Sequence, residues 1–211
     1  MPDRSTTRGK RDLALLELMA RAGLRRAEVA AARWEHLLQV ERWPNGQTRS
    51  AVASGPADET SWAIRVEHSK RGHSRTVPLA ASVVRALEDW RRTGAARSAE
   101  RLTATPPMFV SLPHARAPEA GGEPLSAAAV GDVAARYATA AGVPADRRTA
   151  HALRHTFCTA VAARSNLEIV SRLAGHADVR TSARYVDVTD ARARNAISDT
   201  FGAGAFDDGW G

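Results

Sequence analysis

Apolar residues recur at helical spacing through most of the chain after residue 80, and this periodicity limits the fold to one built mainly of helices. Two more helices are predicted earlier, at residues 10–22 and 26–34. Gly23 lies between them, as expected where glycine ends a helix. The later helices are predicted near residues 80–93, 126–141, 150–163, 166–174, 178–184 and 189–199.

A small antiparallel sheet is predicted before residue 80. Residues 62–67 alternate between apolar and more polar side chains, which is typical of a half-buried strand. Residues 36–42 and 74–79 have weaker strand patterns, and turn-forming residues separate the segments. We therefore expect a mainly α (α+β) fold with a small three-stranded antiparallel sheet near the N-terminus.

Three stretches rich in Gly, Pro, Ser and Ala are predicted to be loops. The first is the run PNGQTRSAVASGPADETS, and the others are residues 94–107 and 113–124. The final residues, 201–211, are too rich in glycine to fold alone and are expected to form a flexible tail. Residues 1–200 are expected to form one domain, since the pattern contains neither an internal repeat nor a second core.

The charge of the chain favours a polyanionic partner. The 211 residues include 30 Lys and Arg against 23 Asp and Glu, a formal net charge of +7. Clustered cations gain affinity for nucleic acid by displacing counterions from phosphates. Only Lys10 and Lys70 are lysines. Because Lys releases a proton more readily than Arg, a Lys retained in an Arg-rich turn is a candidate acid.

Several classes of protein and site are disfavoured. No apolar run approaches the roughly 18 residues that a transmembrane helix requires. The polar N-terminus, MPDRSTTRGKRD, does not resemble a secretory signal. Cys158 is the only cysteine, so neither an internal disulfide nor a cysteine-based metal site is expected. These features predict a cytoplasmic protein with no metal and no small-molecule cofactor.

The densest group of chemically active residues lies in the last third of the chain. The segment HALRHTF contains His151, Arg154 and His155. His151 and Arg154 are three residues apart, so on a helix they project from one face. The segment RLAGH then ends at His176, and Tyr185 follows nine residues later.

Two upstream segments add cations. AGLRRAEV places Arg25 at the junction of two predicted helices, with Glu28 one turn further on. SKRGHSRTVPL places Lys70 in or beside the last predicted hairpin.

Together these residue types match what metal-free cleavage of a phosphodiester requires. Nucleophilic attack places extra negative charge on the non-bridging oxygens of the phosphate. Two guanidiniums, those of Arg25 and Arg154, can hold these oxygens bidentately, and His176 can donate a third hydrogen bond.

The remaining groups fit the nucleophile and the proton transfers. A tyrosine phenol, such as that of Tyr185, is a good enough leaving group for the strand to be resealed afterwards. The departing 5′-oxygen needs a proton, which an ammonium such as Lys70 can supply. His151 can accept or relay the phenol proton.

These segments, in this order, resemble the signature boxes of tyrosine recombinases and phage integrases. GLRRAEV, SKRGHSRTVPL, HALRHTF, RLAGH and the downstream Tyr185 span roughly residues 10–190. The resemblance implies the helical catalytic-domain fold of that family and a 3′-phosphotyrosyl intermediate formed without ATP or metal. It gives the same catalytic roles to Arg25, Lys70, His151, Arg154, His176 and Tyr185.

The resemblance also implies the partners. Double-stranded DNA is the expected substrate, with a homotetramer assembled around two duplexes and a monomer when free. Recombinases of this family usually carry a separate DNA-clamping domain before the catalytic one. Since the chain begins almost at the catalytic domain, we expect residues 1–200 to be catalytic and the N-terminal clamping domain to be absent.

Some residues have a second interpretation. Lys70 could be only a hairpin charge. Tyr137, the other tyrosine, sits mid-helix away from the His and Arg boxes, so core packing is predicted for it. His155 is expected to pack against a helix or to support the site from behind, rather than to form a zinc site with His151. Glu28 is expected to orient a neighbouring arginine or a backbone amide.

Other arginines are predicted to contact DNA phosphates without reading the base sequence. They are Arg71, Arg75, Arg91, Arg92, Arg147 and Arg148.

Two other functions share these features. A catalytically impaired relative could occupy DNA and regulate recombination, and a type IB topoisomerase-like enzyme could relax DNA by the same chemistry. The complete set of six candidate catalytic residues favours a recombinase over the impaired relative.

Overall fold

The structure is a computed structural model of the chain. It describes residues 1–42, 48–52, 61–67, 74–113, 121–165, 167–175 and 191–201. The predicted helix at 178–184 lies outside these ranges, as do residues 202–211 of the predicted tail. None of the helices in the described ranges is long and apolar enough to cross a membrane.

Helices account for most of the described residues, and the mainly α fold with one antiparallel sheet is confirmed. The helices are α1 (Thr7–Arg21), α2 (Arg26–Ala31), α3 (Ala81–Arg91), α4 (Gly94–Leu102), α5 (Ala127–Ala140), α6 (Ala150–Ala162), α7 (Leu167–Ala174) and α8 (Ala191–Phe201). The strands are β1 (Leu37–Arg42), β2 (Thr48–Val52), β3 (Ser61–Val66) and β4 (Arg75–Leu79).

The sheet within the described residues has four strands, in the order β2-β1-β3-β4, and every pairing is antiparallel. The three predicted strands are confirmed as β1, β3 and β4. The prediction of a loop was wrong for Thr48–Val52, which pairs with β1 from Leu38↔Val52 to Arg42↔Thr48. Because β2 is a short polar strand at the edge of the sheet, it lacks the apolar alternation that identifies an inner strand.

The loop predicted at 94–107 was also wrong over most of its length. Residues Gly94–Leu102 form α4, whose first turn is capped by Thr93. The Thr93 hydroxyl accepts a hydrogen bond from the Ala96 amide at 3.4 Å. Its buried face is built from the small side chains of Ala96 and Ala99, three residues apart, and such a face is easily mistaken for an alanine-rich loop.

The core is centred on α1, which packs against both α3 and α6, while α7 and α8 pack against β4. Trp90 of α3 is fully buried, and its indole N–H donates to the Met108 carbonyl at 2.7 Å. Phe157 of α6 stacks on Phe201, the last residue of α8, with ring centroids 5.9 Å apart. The Phe157–Phe201 stacking and the packing of α6 on α1 hold α6, which contains Arg154, against the rest of the domain.

The turn between α1 and α2 requires a glycine. Gly23 has a φ of +67°, and a Cβ atom there would lie 2.4 Å from the Phe157 ring. Glycine therefore lets the chain pass close to α6 immediately before Arg25. The predicted helix boundary at Gly23 is confirmed.

A buried carboxylate joins α1 to α5. Asp12 is fully buried and accepts hydrogen bonds from Arg11 Nε at 3.0 Å and Arg11 Nη2 at 2.9 Å. Arg136 also donates to it, and the Tyr137 hydroxyl donates at 3.2 Å. The predicted structural role of Tyr137 is confirmed, since this half-buried ring packs against the core.

We expect Asp12→Ala to lower the free energy of unfolding by about 3–5 kcal/mol, because it leaves the Arg11 guanidinium buried without its carboxylate. Chemical denaturation monitored by circular dichroism measures this change. The control is Glu88→Ala, which removes a carboxylate paired with the exposed Arg92 at 3.3 Å and should change stability by less than about 1 kcal/mol. Equal effects of the two variants would contradict the structural role of Asp12.

Candidate active site

The structure describes some of the predicted site residues and not others. It describes Arg25, Glu28, His151, Arg154 and His155. Lys70, His176 and Tyr185 lie outside the described residues, so their roles stay predictions.

Arg25 is held at the entrance to α2. It is the N-cap residue of that helix, and its amide donates to Glu28 Oε2 at 2.8 Å. Its guanidinium Nη1 donates to Glu28 Oε1 at 3.0 Å. The side chain is 41% exposed, so the guanidinium is both oriented by the carboxylate and open to a ligand.

Arg154 projects from α6 into the interior and is only 3% exposed. It donates from Nη1 to the Gly23 carbonyl and from Nη2 to the Ala174 carbonyl. Burial lowers the pKa of the guanidinium, and the charges of Arg25 and Arg75 lower it further, to about 10. Arg154 therefore keeps its charge at neutral pH.

Arg25 and Arg154 meet at the C-terminal end of α7. Arg25 Nη1 lies 3.5 Å from the Ala174 carbonyl oxygen, which also accepts from Arg154. Arg25 Nη2 donates to the Gly175 carbonyl at 3.2 Å. The last carbonyls of a helix lack partners within the helix and carry partial negative charge, so they attract guanidiniums. The two predicted clamp arginines are thus brought together from distant segments of the sequence.

A third arginine, Arg75, completes the cluster. Its Nη1 and Nη2 donate to Glu28 Oε1 and Oε2, each at 2.8 Å, and its Nε donates to the Leu173 carbonyl at 2.9 Å. The prediction that Arg75 is a DNA-phosphate contact was wrong, because its Nη1 and Nη2 are both held by the Glu28 carboxylate and its Nε by the Leu173 carbonyl. The period-two pattern of Arg75, Val77 and Leu79 could have revealed a buried arginine, since these residues share one face of β4.

Another of the proposed phosphate contacts has a partner within the protein. Arg91 Nε pairs with Glu100 Oε1 at 2.7 Å, and the guanidinium lies 4.8 Å from the centre of the Trp34 ring. This arginine stabilises the contact between α3 and α4, so it is a weaker candidate for DNA than the sequence suggested.

Glu28 stays ionised because its partners outweigh its burial. Burial raises the pKa of the carboxyl, but the hydrogen bonds and charge of Arg75 and the donors of Arg25 bring it down to about 2. Since the pKa is lower in the folded than in the unfolded state, the ion pair stabilises the fold fully above about pH 4.5. That contribution is lost as the pH falls towards 2.

The two histidines of α6 lie on the surface. His151 is exposed in the first turn of the helix, one turn before Arg154, and Thr149 caps that turn. His155 is also exposed, and its Nδ1 lies 3.4 Å from the Thr159 hydroxyl. The alternative in which His155 packs against another helix was therefore wrong. Among the described residues, no group of three or more His, Cys, Asp or Glu side chains could hold a metal ion.

The arrangement is suited to binding a phosphate group. Three guanidiniums and one carboxylate share the cluster, so positive charge is in excess. The partly exposed Arg25 gives it access to solvent, while Arg154 and Arg75 are buried. Fixed guanidiniums of this kind stabilise charge that develops on phosphoryl oxygens.

The sequence is similar to known proteins over most of its length. The model of the phage integrase family matches residues 2–192. A tyrosine recombinase XerD from Ralstonia nicotianae is 30% identical over 194 residues, which is 92% of this chain and 53% of that protein. A tyrosine recombinase XerC from Methylobacterium sp. (strain 4-46) is 32% identical over 188 residues, or 89% of this chain and 48% of the relative. The chain thus spans about half the length of the curated relatives it matches.

Solved structures show the same fold. The XerH site-specific recombinase bound to palindromic difH substrate, a post-cleavage complex, matches with a TM-score of 0.60 at 18% identity. The match covers 93% of this chain and 44% of the XerH chain. The pre-cleavage complex of XerH bound to difH substrate matches with a TM-score of 0.59 at 19% identity, over 82% and 41% of the two chains. The extent of the family match, which takes in nearly the whole sequence, shows that the chain belongs to the phage integrase family of tyrosine recombinases.

Proposed function

We propose that the chain is the catalytic part of a site-specific DNA recombinase or integrase. It cleaves and rejoins DNA strands through a 3′-phosphotyrosyl intermediate on Tyr185. The observation that carries the proposal is the convergence of Arg25 and Arg154 on the Ala174 carbonyl, two residues before His176. Family membership supports the same reaction.

In the cleavage step, the Tyr185 oxygen attacks the scissile phosphorus. The tyrosine–phosphorus bond forms as the bond between phosphorus and the 5′-oxygen breaks. Arg25 and Arg154 stabilise the charge on the non-bridging oxygens, and His176 donates a further hydrogen bond.

Protons move at the two ends of the reacting centre. His151 accepts or relays the proton of the phenol, and its exposed position on α6 is compatible with contact to DNA. Lys70 protonates the departing 5′-oxygen, leaving a free 5′-hydroxyl. Glu28 orients Arg25 through the two hydrogen bonds between them.

Rejoining is the reverse reaction. The 5′-hydroxyl of a new strand attacks the phosphotyrosine and releases the phenol. Because one phosphodiester is exchanged for another of similar energy, the proposed reaction uses neither ATP nor a metal ion.

The partners follow from the proposed reaction. Double-stranded DNA is the substrate, and the net charge of +7 supports binding to it. A homotetramer on two duplexes performs strand exchange, with residues 1–200 forming the catalytic domain of each protomer. The cytoplasm is the proposed location.

The proposal is tested by trapping the covalent intermediate. The substrates are nicked suicide duplexes whose sequences together cover the DNA that flanks the gene. After cleavage the short fragment next to the nick diffuses away, so the strand cannot be rejoined and the covalent intermediate accumulates. We expect a protein–DNA adduct that survives denaturation and migrates as one band on a denaturing gel. The measurement is repeated in excess chelator, which should leave the yield unchanged.

A second arm uses the chain joined to the N-terminal half of a matched relative, because this chain spans only about half of such a protein. DNA binding without an adduct in either arm would leave the chain as a DNA-binding relative and contradict the catalytic proposal.

A further inference from the structure

We infer that Arg75 is a positioning residue of this active site, which sets the orientation of Arg25 through Glu28 and fixes the end of α7. The inference rests on the proposed function, since it names a further residue on which the same reaction depends. Arg75 itself is not expected to touch the phosphate, because its Nη1 and Nη2 are both bound to the Glu28 carboxylate, which also offsets its charge.

The first observation is the completeness of the Arg75–Glu28 contact. Both carboxylate oxygens of Glu28 accept from Arg75, each at 2.8 Å, and the two side chains are only 6% and 8% exposed. Bidentate pairs of this kind fix the plane of the carboxylate as well as its position. Arg25 then bonds to both oxygens of this fixed group, from its amide and from Nη1. The orientation of the exposed Arg25 guanidinium is therefore set by a carboxylate that Arg75 holds.

The second observation is the contact of Arg75 with the end of α7. Its Nε donates to the Leu173 carbonyl at 2.9 Å, while Arg25 and Arg154 take the carbonyl of Ala174. Gly175 follows with a φ of +61°, and a Cβ there would lie 2.9 Å from Arg75 Nη1. Glycine thus lets the chain turn directly over the Arg75 guanidinium.

The position of Arg75 in the sequence makes these contacts relevant to catalysis. Arg75 begins β4, five residues after Lys70. Glu28 lies on α2 beside Arg25, and the α7 end leads directly to His176. The buried Arg75 guanidinium therefore connects three segments of the chain. They lead to Lys70, the proposed acid, to Arg25, one of the phosphate clamps, and to His176, the proposed hydrogen-bond donor.

Lysine cannot replace Arg75 in this role. An ammonium can bond to one Glu28 oxygen, but it cannot match both oxygens and the Leu173 carbonyl in one plane. Arg75→Lys keeps the positive charge but loses the bidentate contact with Glu28, whereas Arg75→Gln loses both the charge and that contact.

The test measures single-turnover cleavage of the suicide duplex at saturating DNA. We expect Arg75→Lys and Arg75→Gln to slow cleavage by about 10²-fold, as a small misplacement of catalytic groups does, with little change in DNA affinity. The control is Arg11→Gln, which removes an equally buried arginine that pairs with Asp12 far along α1 from Arg25. Assayed well below its melting temperature, Arg11→Gln should cleave within about threefold of the wild type, since Arg11 does not contact the arginine cluster.

A double-mutant cycle tests whether Arg75 acts through Glu28. Arg75→Gln and Glu28→Gln should be strongly non-additive, with the double variant cleaving no more slowly than the worse single variant. Additive losses would mean that the two residues act separately and would overturn the inference.

A DNA-free measurement separates the inference from the proposed function. The order parameter of the Arg25 Nε–H bond is measured by ¹⁵N nuclear magnetic resonance relaxation. It should fall in both Arg75 variants and stay at the wild-type value in Arg11→Gln. If the Arg25 signal is unchanged in the folded Arg75→Lys variant, the inference fails whether or not the protein cleaves DNA. If the wild type forms no adduct but the Arg25 signal responds, the proposed function fails and the positioning contact stands.

Discussion

Tyr185→Phe is expected to abolish the covalent protein–DNA adduct, whereas Tyr137→Phe is expected to leave its yield unchanged. The phenol oxygen is the only atom that the first substitution removes, and it is the atom that bonds to phosphorus in the proposed reaction. Since the sequence contains only these two tyrosines, the pair of variants covers every candidate phenol. The measurement is the fraction of labelled suicide duplex that migrates with the protein on a denaturing gel.

Tyr137 is a well-matched control because its hydroxyl makes a hydrogen bond that stabilises the fold. It donates to Asp12 at 3.2 Å, within the buried network that joins α1 to α5. Burial raises the pKa of this phenol, and the charge of Asp12 raises it further, so the hydroxyl keeps the proton that it donates to Asp12. Removing its hydroxyl should lower the free energy of unfolding by about 1 kcal/mol, the usual value for one hydrogen bond, and should not alter cleavage.

The two variants also separate the possible failures. An adduct that persists in Tyr185→Phe and disappears in Tyr137→Phe would place the nucleophile on α5 and contradict the assignment. An adduct that persists in both would exclude tyrosine as the nucleophile. Binding of the same duplex by Tyr185→Phe, measured by gel shift, establishes that the variant is folded and occupies the DNA.

The helices of this chain could be predicted because their apolar faces are periodic and their ends have chemical signals. The helix predicted at 150–163 and the helix boundary predicted at Gly23 are both confirmed, so both clamp arginines lie on the expected elements. The edge strand β2 and the helix α4 could not be predicted in this way. The sequence of β2 is short and mostly polar, and the buried face of α4 consists of small alanines, so both sequences resemble those of loops.

The sequence was enough to predict which residues belong to the site, but not which contacts they make with one another. Arg25 and Arg154 could be paired because both belong to recognisable boxes, yet nothing in the sequence places either beside the Ala174 carbonyl. The Arg75–Glu28 ion pair joins β4 to α2 and depends on how the sheet packs against the helices. Local patterns do not specify such long-range contacts, so Arg75 was mistaken for a surface cation.

Arg154→Ala is expected to slow cleavage by about 10²–10³-fold, the usual effect of removing one donor to a charged transition state. The variant also leaves the Gly23 and Ala174 carbonyls without their guanidinium partner, which should destabilise the fold by about 1–3 kcal/mol. Rates are therefore measured in a single turnover, at saturating DNA and well below the melting temperature of the variant. Arg164→Ala, which removes an exposed arginine just beyond α6, serves as the matched control and should cleave at the wild-type rate.

The conservative variant distinguishes charge from geometry at this position. Arg154→Lys restores a buried cation, but one ammonium cannot span the carbonyls of Gly23 and Ala174 and still offer paired donors to a phosphate. We therefore expect Arg154→Lys to recover part of the stability and little of the rate. Because the Arg154 guanidinium keeps its charge up to a pKa of about 10, its contribution to the rate should be constant between about pH 6 and 9. Full rescue by lysine would show that Arg154 supplies only positive charge, and wild-type cleavage by the folded Arg154→Ala variant would remove it from the active site.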